Sequence, residues 1–240
     1  MPTLNQTLQQ PEAGADTLRQ ASFPALPAEA APPMALEDRL RVLHVGCGSN
    51  SATRLHAIFR DNAWDEVRLD VDQSTSPDIS GTIVDMRSFA EDESCDAIWA
   101  SHVIEHLSQH EVAKALAEFR RVLVPSGFAL IRTPDIECVA QFIIDGRIRD
   151  VIYTSPAGPI TPLDMIYGHG ASIEKGVDAM RHGMAFTQDS MADELLKAGF
   201  TELRVARTGT YEVWAIAFMP KADVAGILDR LAAAGTDLRA

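Results

Sequence analysis

A pair of glycines, Gly46 and Gly48, brackets Cys47 at the end of the apolar run VLHV and is followed by Ser49 and Asn50. Glycine at both places lets backbone pass close to a bound ligand, where a β-carbon would fill the space or forbid the backbone angles. The third glycine of G-x-G-x-x-G is absent, so the loop that seats a dinucleotide pyrophosphate is incomplete and a nicotinamide cofactor loses ground. Roughly 20 residues further on, Asp70 closes the run VRLD, where a carboxylate can accept both hydroxyls of a ribose. Val71 follows it, and Asp72 is the fallback acid. Asp85 and Met86, after a third short apolar run, repeat the arrangement: an acid able to take an adenine amino group, beside an apolar side chain for the ring.

The histidines are the second source of chemistry, because imidazole titrates near neutrality. His102-Val-Ile-Glu105-His106 fits H-x-x-E-H, the pattern of inverted zinc peptidases. Those enzymes need both histidines on one helix and a distant third ligand. Here the strand-like CDAIWAS runs straight into His102, which places His102 at a strand exit and His106 on the next helix, and no third ligand can be assigned. No metal is therefore expected, and Glu105 reads as a helix-start carboxylate. His102, at the strand exit, is the first candidate for a base and His169 the second. His182 is a further candidate, and for each of the three a hydrogen-bonded structural histidine is the alternative. His56 and His110 read as exposed or packed.

These residues must be positioned by strands and helices that the text supplies in alternation. Residues 41–45, 67–71, 82–84 and 95–100 read as strands, and 128–132 as a fifth. A helix is expected after the glycines, on the stripe Leu55, Ile58 and Phe59. A clearer one covers 108–123, with Val112, Leu116, Phe119 and Leu123 on one face, and another opens at Pro134-Asp135 and runs through 144. Residues 145–186 hold nine glycines and prolines and follow no clean period, the signature of a functional or mobile insertion. A helix capped by Thr187 and ended by Gly199 follows. The strands 201–207 and 211–219 are joined tightly enough to be antiparallel. The expected fold is α/β, a Rossmann-like, mostly parallel seven-stranded sheet with helices on both faces and a C-terminal antiparallel strand. Ligands of such sheets bind beyond the carboxyl ends of the strands, where the residues above fall.

Composition sets the outer bounds. The 240 residues include 46% hydrophobic and 23% charged, as an ordinary folded protein does. The net charge of −13 and the lack of a basic run argue against nucleic acid. Apolar runs such as 213–219 are too short to span a bilayer, so no membrane partner is expected. Three scattered cysteines and an N-terminus without a secretory pattern point to a cytoplasmic location. Residues 1–35 read as a disordered leader, 36–220 as the folded domain with 145–186 covering the substrate, and 221–240 as a C-terminal helix or tail. No interface pattern indicates an oligomeric state.

Taken in order, VLHVGCGSN, VRLDVD, IVDM, CDAIWASHVIEHL and RVLVPSGFALIRTPD resemble the class I S-adenosylmethionine-dependent methyltransferases from about residue 40 to 135. The stretch from Pro162 to His169, with Arg181-His182 and Gly183 to Thr187, resembles a small bacterial subgroup of that superfamily. The resemblance implies S-adenosylmethionine as cofactor. It places Gly46 and Gly48 on the methionine part, Asp70 on the ribose, Asp85 and Met86 at the adenine, and Ser101 with His102 below the sulfonium. Cys47, Asn50, Val71 and Asp72 belong to the same set. The chain departs from that family's pattern at His44, where an acid is frequent. The activity implied is methyl transfer to an O or N of a small-molecule or sugar acceptor. The alternative is a non-catalytic cofactor-binding or scaffold protein on the same fold, which His44 motivates.

Overall fold

The computed structural model describes residues 39–51, 53–209 and 211–239. The leader expected over 1–35 lies outside them. The strands are β1 (Leu40–Val45), β2 (Trp64–Asp70), β3 (Ile79–Ser80), β4 (Cys95–Ser101), β5 (Leu123–Pro134), β6 (Tyr153–Ser155), β7 (Gly158–Ile160), β8 (Glu202–Thr208) and β9 (Glu212–Phe218). The helices are α1 (Gln109–Val122), α2 (Ile136–Ile144), α3 (Pro162–Tyr167), α4 (Gly170–Glu174), α5 (Gln188–Lys197) and α6 (Val224–Ala233). Seven strands form one sheet in the order β3-β2-β1-β4-β5-β9-β8. The first five run parallel, and β9 lies antiparallel between β5 and β8. The strand order reverses between β1 and β4, which opens a crevice beyond their carboxyl ends.

Successive residues of each central strand face opposite sides of the sheet, so both sides acquire a core. On one side Leu43, Ile98, Ile131 and Ala215 pack with Leu116 and Phe119 of α1 and Met191 and Leu195 of α5. On the other Val42, Trp99, Leu130 and Trp214 pack with Ile227, Leu228 and Leu231 of α6. Leu238 is buried in this second core as well. The stretch expected as a C-terminal helix or tail thus holds α6, which packs into this core.

Two expectations need correction. No α-helix follows the glycine loop: among the described residues of 51–63 there is only a three-residue 3-10 turn, Ala57–Phe59. Side chains take over the backbone groups a helix would need. Arg60 Nε donates to the Leu55 carbonyl at 2.8 Å, and the Ile58 N–H donates to His56 Nδ1 at 3.3 Å. The apolar stripe is also only one turn long, and Phe59 packs edge-on against Trp64 instead. The third strand is Ile79–Ser80, not 82–84. The chain leaves the sheet at Gly81, and Met86 is drawn under α1, where its N–H donates to Glu118 at 2.6 Å.

Segment 145–186 is built from short pieces. β6 and β7 form a separate hairpin, and α3 begins at a capping box in which Thr161 and Asp164 satisfy each other's N–H groups. Ile160 and Met165 pack with Val139 of α2 in a small third cluster.

Candidate active site

A cavity of about 950 Å³ opens at the carboxyl edge of the sheet. One end is lined by Gly46, Cys47, Gly48, Asp70, Val71 and Asp72, and the other by side chains of segment 145–186. The glycine loop owes its shape to Asp70. One carboxylate oxygen accepts the Gly48 N–H at 2.8 Å and the other accepts the Asp72 N–H at 2.9 Å. Gly46 has φ +60°, and a β-carbon there would lie 1.8 Å from Val103 Cγ2, so no other residue fits without displacing Val103. Cys47 is buried, and burial pushes its thiol up, which keeps it protonated and inert.

His44, the departure from the expected acid, is buried and bonded through Nδ1 to Glu66 on β2. A carboxylate therefore stands beside the loop, on the neighbouring strand. Arg68 of β2 also reaches over and donates to the Gly48 carbonyl at 2.6 Å.

At the end of β4, His102 adopts φ +54°, unusual for a residue with a side chain. Its N–H still donates to the Arg132 carbonyl at 2.9 Å, after which the chain turns. The imidazole is held between two carboxylates, Nδ1 to Glu105 at 3.2 Å and Nε2 to Glu212 at 2.8 Å. Burial disfavours its charge, but the bonds and charges of Glu105 and Glu212 outweigh burial and push it up to about 9. Burial would raise both acids, and the bond and charge of His102 instead hold them low. Both ring nitrogens donate, so the imidazolium has no lone pair for an incoming proton. That geometry runs against the expectation of His102 as the base. Glu212 sits at this edge because β9 runs antiparallel, which brings its first residue opposite Pro134. The hairpin visible in the sequence carried that signal.

Other expected residues are distributed unevenly. Ser101 lines the cavity and its Oγ accepts from Arg132 Nε at 2.7 Å. His169 is buried, lines the cavity, and has Nδ1 on Ser172 Oγ at 2.8 Å. Asn50 is exposed and outside the lining. Asp85 and Met86 do not line the cavity either. Asp85 is exposed and pairs with Arg87 through both oxygens, at 2.8 and 2.7 Å, while Met86 is wholly buried. Because β3 ends early, Thr82 and Ile83 stand at the edge in their place. Sequence reasoning also missed Tyr153 and Tyr211, which line the cavity with their rings nearly parallel and centroids 6.0 Å apart. No helix among the described residues is long and apolar enough to cross a membrane.

The sequence model of a family described as a methyltransferase domain matches residues 43–131, from β1 into β5. Among solved structures the chain is similar to a protein from Pyrococcus horikoshii OT3, at 16% identity over 77% of this chain and 84% of that one, with a TM-score of 0.51. It is similar also to the trans-methyltransferase CalH in complex with SAH, at 17% identity over 76% of this chain and 52% of that one, with a TM-score of 0.50. No curated protein matches the sequence at a significant level. At these identities the solved structures establish the fold alone, and the domain match covers the segment from β1 into β5. Residues 43–131 thus match a methyltransferase domain, on a fold shared with a methyltransferase solved with SAH, and S-adenosylmethionine is the cofactor this indicates.

Proposed function

We propose that the protein transfers a methyl group to an oxygen or nitrogen of a small-molecule or sugar acceptor held under segment 145–186. The observation that carries this reading is the continuity of the cavity from the glycine loop to that segment. Its volume of about 950 Å³ is at the upper end of small-molecule sites, which leaves space for an acceptor beside the cofactor.

The residues fit the cofactor. Gly46 leaves the loop backbone bare, and Asp70 keeps lone pairs beyond the two that order the loop, so it would hold the ribose hydroxyls. Val71, 61% exposed, and Ile83 offer apolar surface for the adenine. When bound, S-adenosylmethionine supplies a methyl carbon already activated by its positive sulfur. The chain's tasks are then to align the acceptor, exclude water and receive a proton where the acceptor arrives protonated. His169 is the better base of the two candidates: Nδ1 is held by Ser172, and Nε2 has no partner among the described residues. His102 orders Glu105 and Glu212 at the cavity wall and acts as a positioning residue.

Calorimetric titration with S-adenosylhomocysteine tests the reading, followed by product formation over a panel of hydroxyl and amine acceptors. Micromolar binding is expected. Asp70→Ala should weaken it about 100-fold, the effect of losing two hydrogen bonds to a charged group. Asp70→Asn, which keeps one acceptor oxygen, should fall between. Folded protein that binds no S-adenosylhomocysteine would sink the proposal. Binding without transfer to any acceptor would favour the non-catalytic alternative.

A further inference from the structure

The H-x-x-E-H motif does not converge as its pattern suggests, since both ring nitrogens of His102 are taken, one by Glu105 and the other by Glu212. Instead Glu105 and His106 meet His182, a residue 76 positions further along the chain from His106. One ligand atom from each of the three lies within 4.8 Å of the other two. The His106 and His182 rings stand 4.9 Å apart at 67°.

The juxtaposition is built into the backbone. The Glu105 carbonyl accepts the N–H groups of Gly183 and Met184, at 2.8 and 3.1 Å, and the His182 N–H donates to the Tyr167 carbonyl at 3.2 Å. Each imidazole is then fixed by a carbonyl oxygen, an atom that can only accept. His106 Nδ1 donates to Arg181 O at 3.0 Å, and His182 Nδ1 donates to Met165 O at 2.9 Å. In their neutral forms both rings therefore carry the proton on Nδ1, which leaves Nε2 as a lone-pair nitrogen. The Glu105 carboxylate is 2% exposed, oriented by His102 and by the Thr133 hydroxyl. None of the three is hydrogen-bonded to another. Three acceptors thus gather at the wall of the cavity with no donor between them, an arrangement that a cation stabilises. A ring nitrogen tied to a carbonyl or carboxylate is also the usual outer support of a metal-binding histidine.

We propose that Glu105, His106 and His182 form a binding site for a zinc-type divalent cation whose remaining positions face the acceptor end of the cavity. Two imidazoles and one carboxylate suit first-row divalent ions of the zinc class and do not suit magnesium or calcium, which prefer oxygen alone. Donors of a tetrahedral zinc site stand roughly 3.3 Å apart at metal–ligand distances of about 2.0–2.1 Å. The three groups therefore close by at most about 1.5 Å on binding, within the reach of small side-chain rotations. The open positions take an oxygen of the acceptor, which narrows the acceptor class to molecules with a hydroxyl or carboxylate beside the methylated atom. That last step rests on the methyltransferase reading; the cation site does not.

The test uses metal-stripped full-length protein, with Co2+ as a visible probe and Zn2+ as competitor. One equivalent of Co2+ should produce an intense visible band that one equivalent of Zn2+ removes. His106→Ala and His182→Ala should each weaken Zn2+ binding at least tenfold, while His110→Ala, on the exposed face of α1, should leave it unchanged. Circular dichroism establishes that each variant is folded. If either alanine variant fails to fold, the Co2+ band of the unaltered protein and its bleaching by Zn2+ decide the matter. No band, or binding that survives both substitutions, overturns the proposal. S-adenosylhomocysteine titration in parallel separates the two readings: a chain that binds Zn2+ here but not S-adenosylhomocysteine keeps the site and loses the proposed reaction.

Discussion

The two ends of the cavity are made in different ways. The cofactor end rests on β1, β2 and β4, pinned to one another by continuous ladders, with β1 and β4 buried on both faces. The other end, where the proposed reaction puts the acceptor, rests on a hairpin, two helices of six and five residues, and a small apolar cluster. Its shape is set by individual polar contacts: the Thr161–Asp164 box, the Asp164 bond to the Gly170 N–H, and the carbonyls that hold His106 and His182. A sheet edge can present the same cofactor geometry under many different sequences. Walls tied by single side chains can be remade one contact at a time, which under the proposed reaction would put acceptor specificity on them.

Two glycine substitutions should separate the ends, and they carry the largest expected effects. Gly46→Ala puts a β-carbon 1.8 Å from Val103 Cγ2 at φ +60°. It should cost about 2–4 kcal/mol of stability and weaken S-adenosylhomocysteine at least 100-fold, because both strain and overpacking fall on the cofactor loop. Gly168→Ala puts a β-carbon 1.8 Å from the Met180 carbonyl oxygen at φ +92°. A backbone oxygen cannot swing aside, so the bridge between Gly168 and Arg181 must open. Turnover should fall at least tenfold while S-adenosylhomocysteine affinity stays within about twofold, since Asp70 and its loop are untouched. Equal losses of cofactor affinity in both variants would show that the two ends are one mechanical unit.

The same contrast explains what was legible in the sequence. Strands β1, β4 and β5 are buried on both faces, so they read as unbroken apolar runs, and their exits are marked by Gly46, Ser101 and Pro134. Helix α1 showed its stripe over four turns. The segment after the glycine loop misled because its structure comes from Arg60, His56 and aromatic packing rather than from periodicity. Asp85 was misplaced because β3 is two residues long, too short to leave a pattern, and the edge passes instead to Thr82 and Ile83. The His106–His182 meeting was invisible, since it depends on carbonyl contacts between segments far apart in the chain. Glu212 could have been found, because an antiparallel strand presents its first residue where parallel strands present their last.

A smaller effect probes the regular half through pH. His56 is half-buried against Trp99 and Trp214. Its Nδ1 accepts from Ile58, so the proton sits on Nε2, facing Thr236 Oγ1 at 3.1 Å. Burial, helped by Arg132 and Arg60, lowers its pKa to about 4. The unfolded chain binds this proton near pH 6.5 and the folded chain only near 4. Stability is therefore lost as pH falls through that window, by roughly 2–3 kcal/mol at its lower end. His56→Gln, which cannot be protonated, should flatten this part of the stability curve measured by urea unfolding. An unchanged slope between pH 6.5 and 4 would mean that other groups carry the acid sensitivity of this core.

The smallest effect tests whether the acceptor wall unfolds by itself. Thr161 Oγ1 accepts the Asp164 N–H at 3.3 Å, and the Asp164 carboxylate returns bonds to the Thr161 N–H and to Gly170. Thr161→Ala removes the cap at a cost of about 1 kcal/mol. Were the whole domain one cooperative unit, that loss would lower the melting temperature by about 2–4 °C. A wall tied by local contacts opens locally instead, and local opening leaves the global transition almost in place. The expected outcome is a midpoint shift below about 1 °C, together with faster amide exchange across 161–174 and unchanged exchange in β1 and β4. A full shift in midpoint, with exchange accelerated equally in the strands, would show that the short pieces share the stability of the sheet, and the division between a rigid cofactor edge and a separately adjustable acceptor wall would fall.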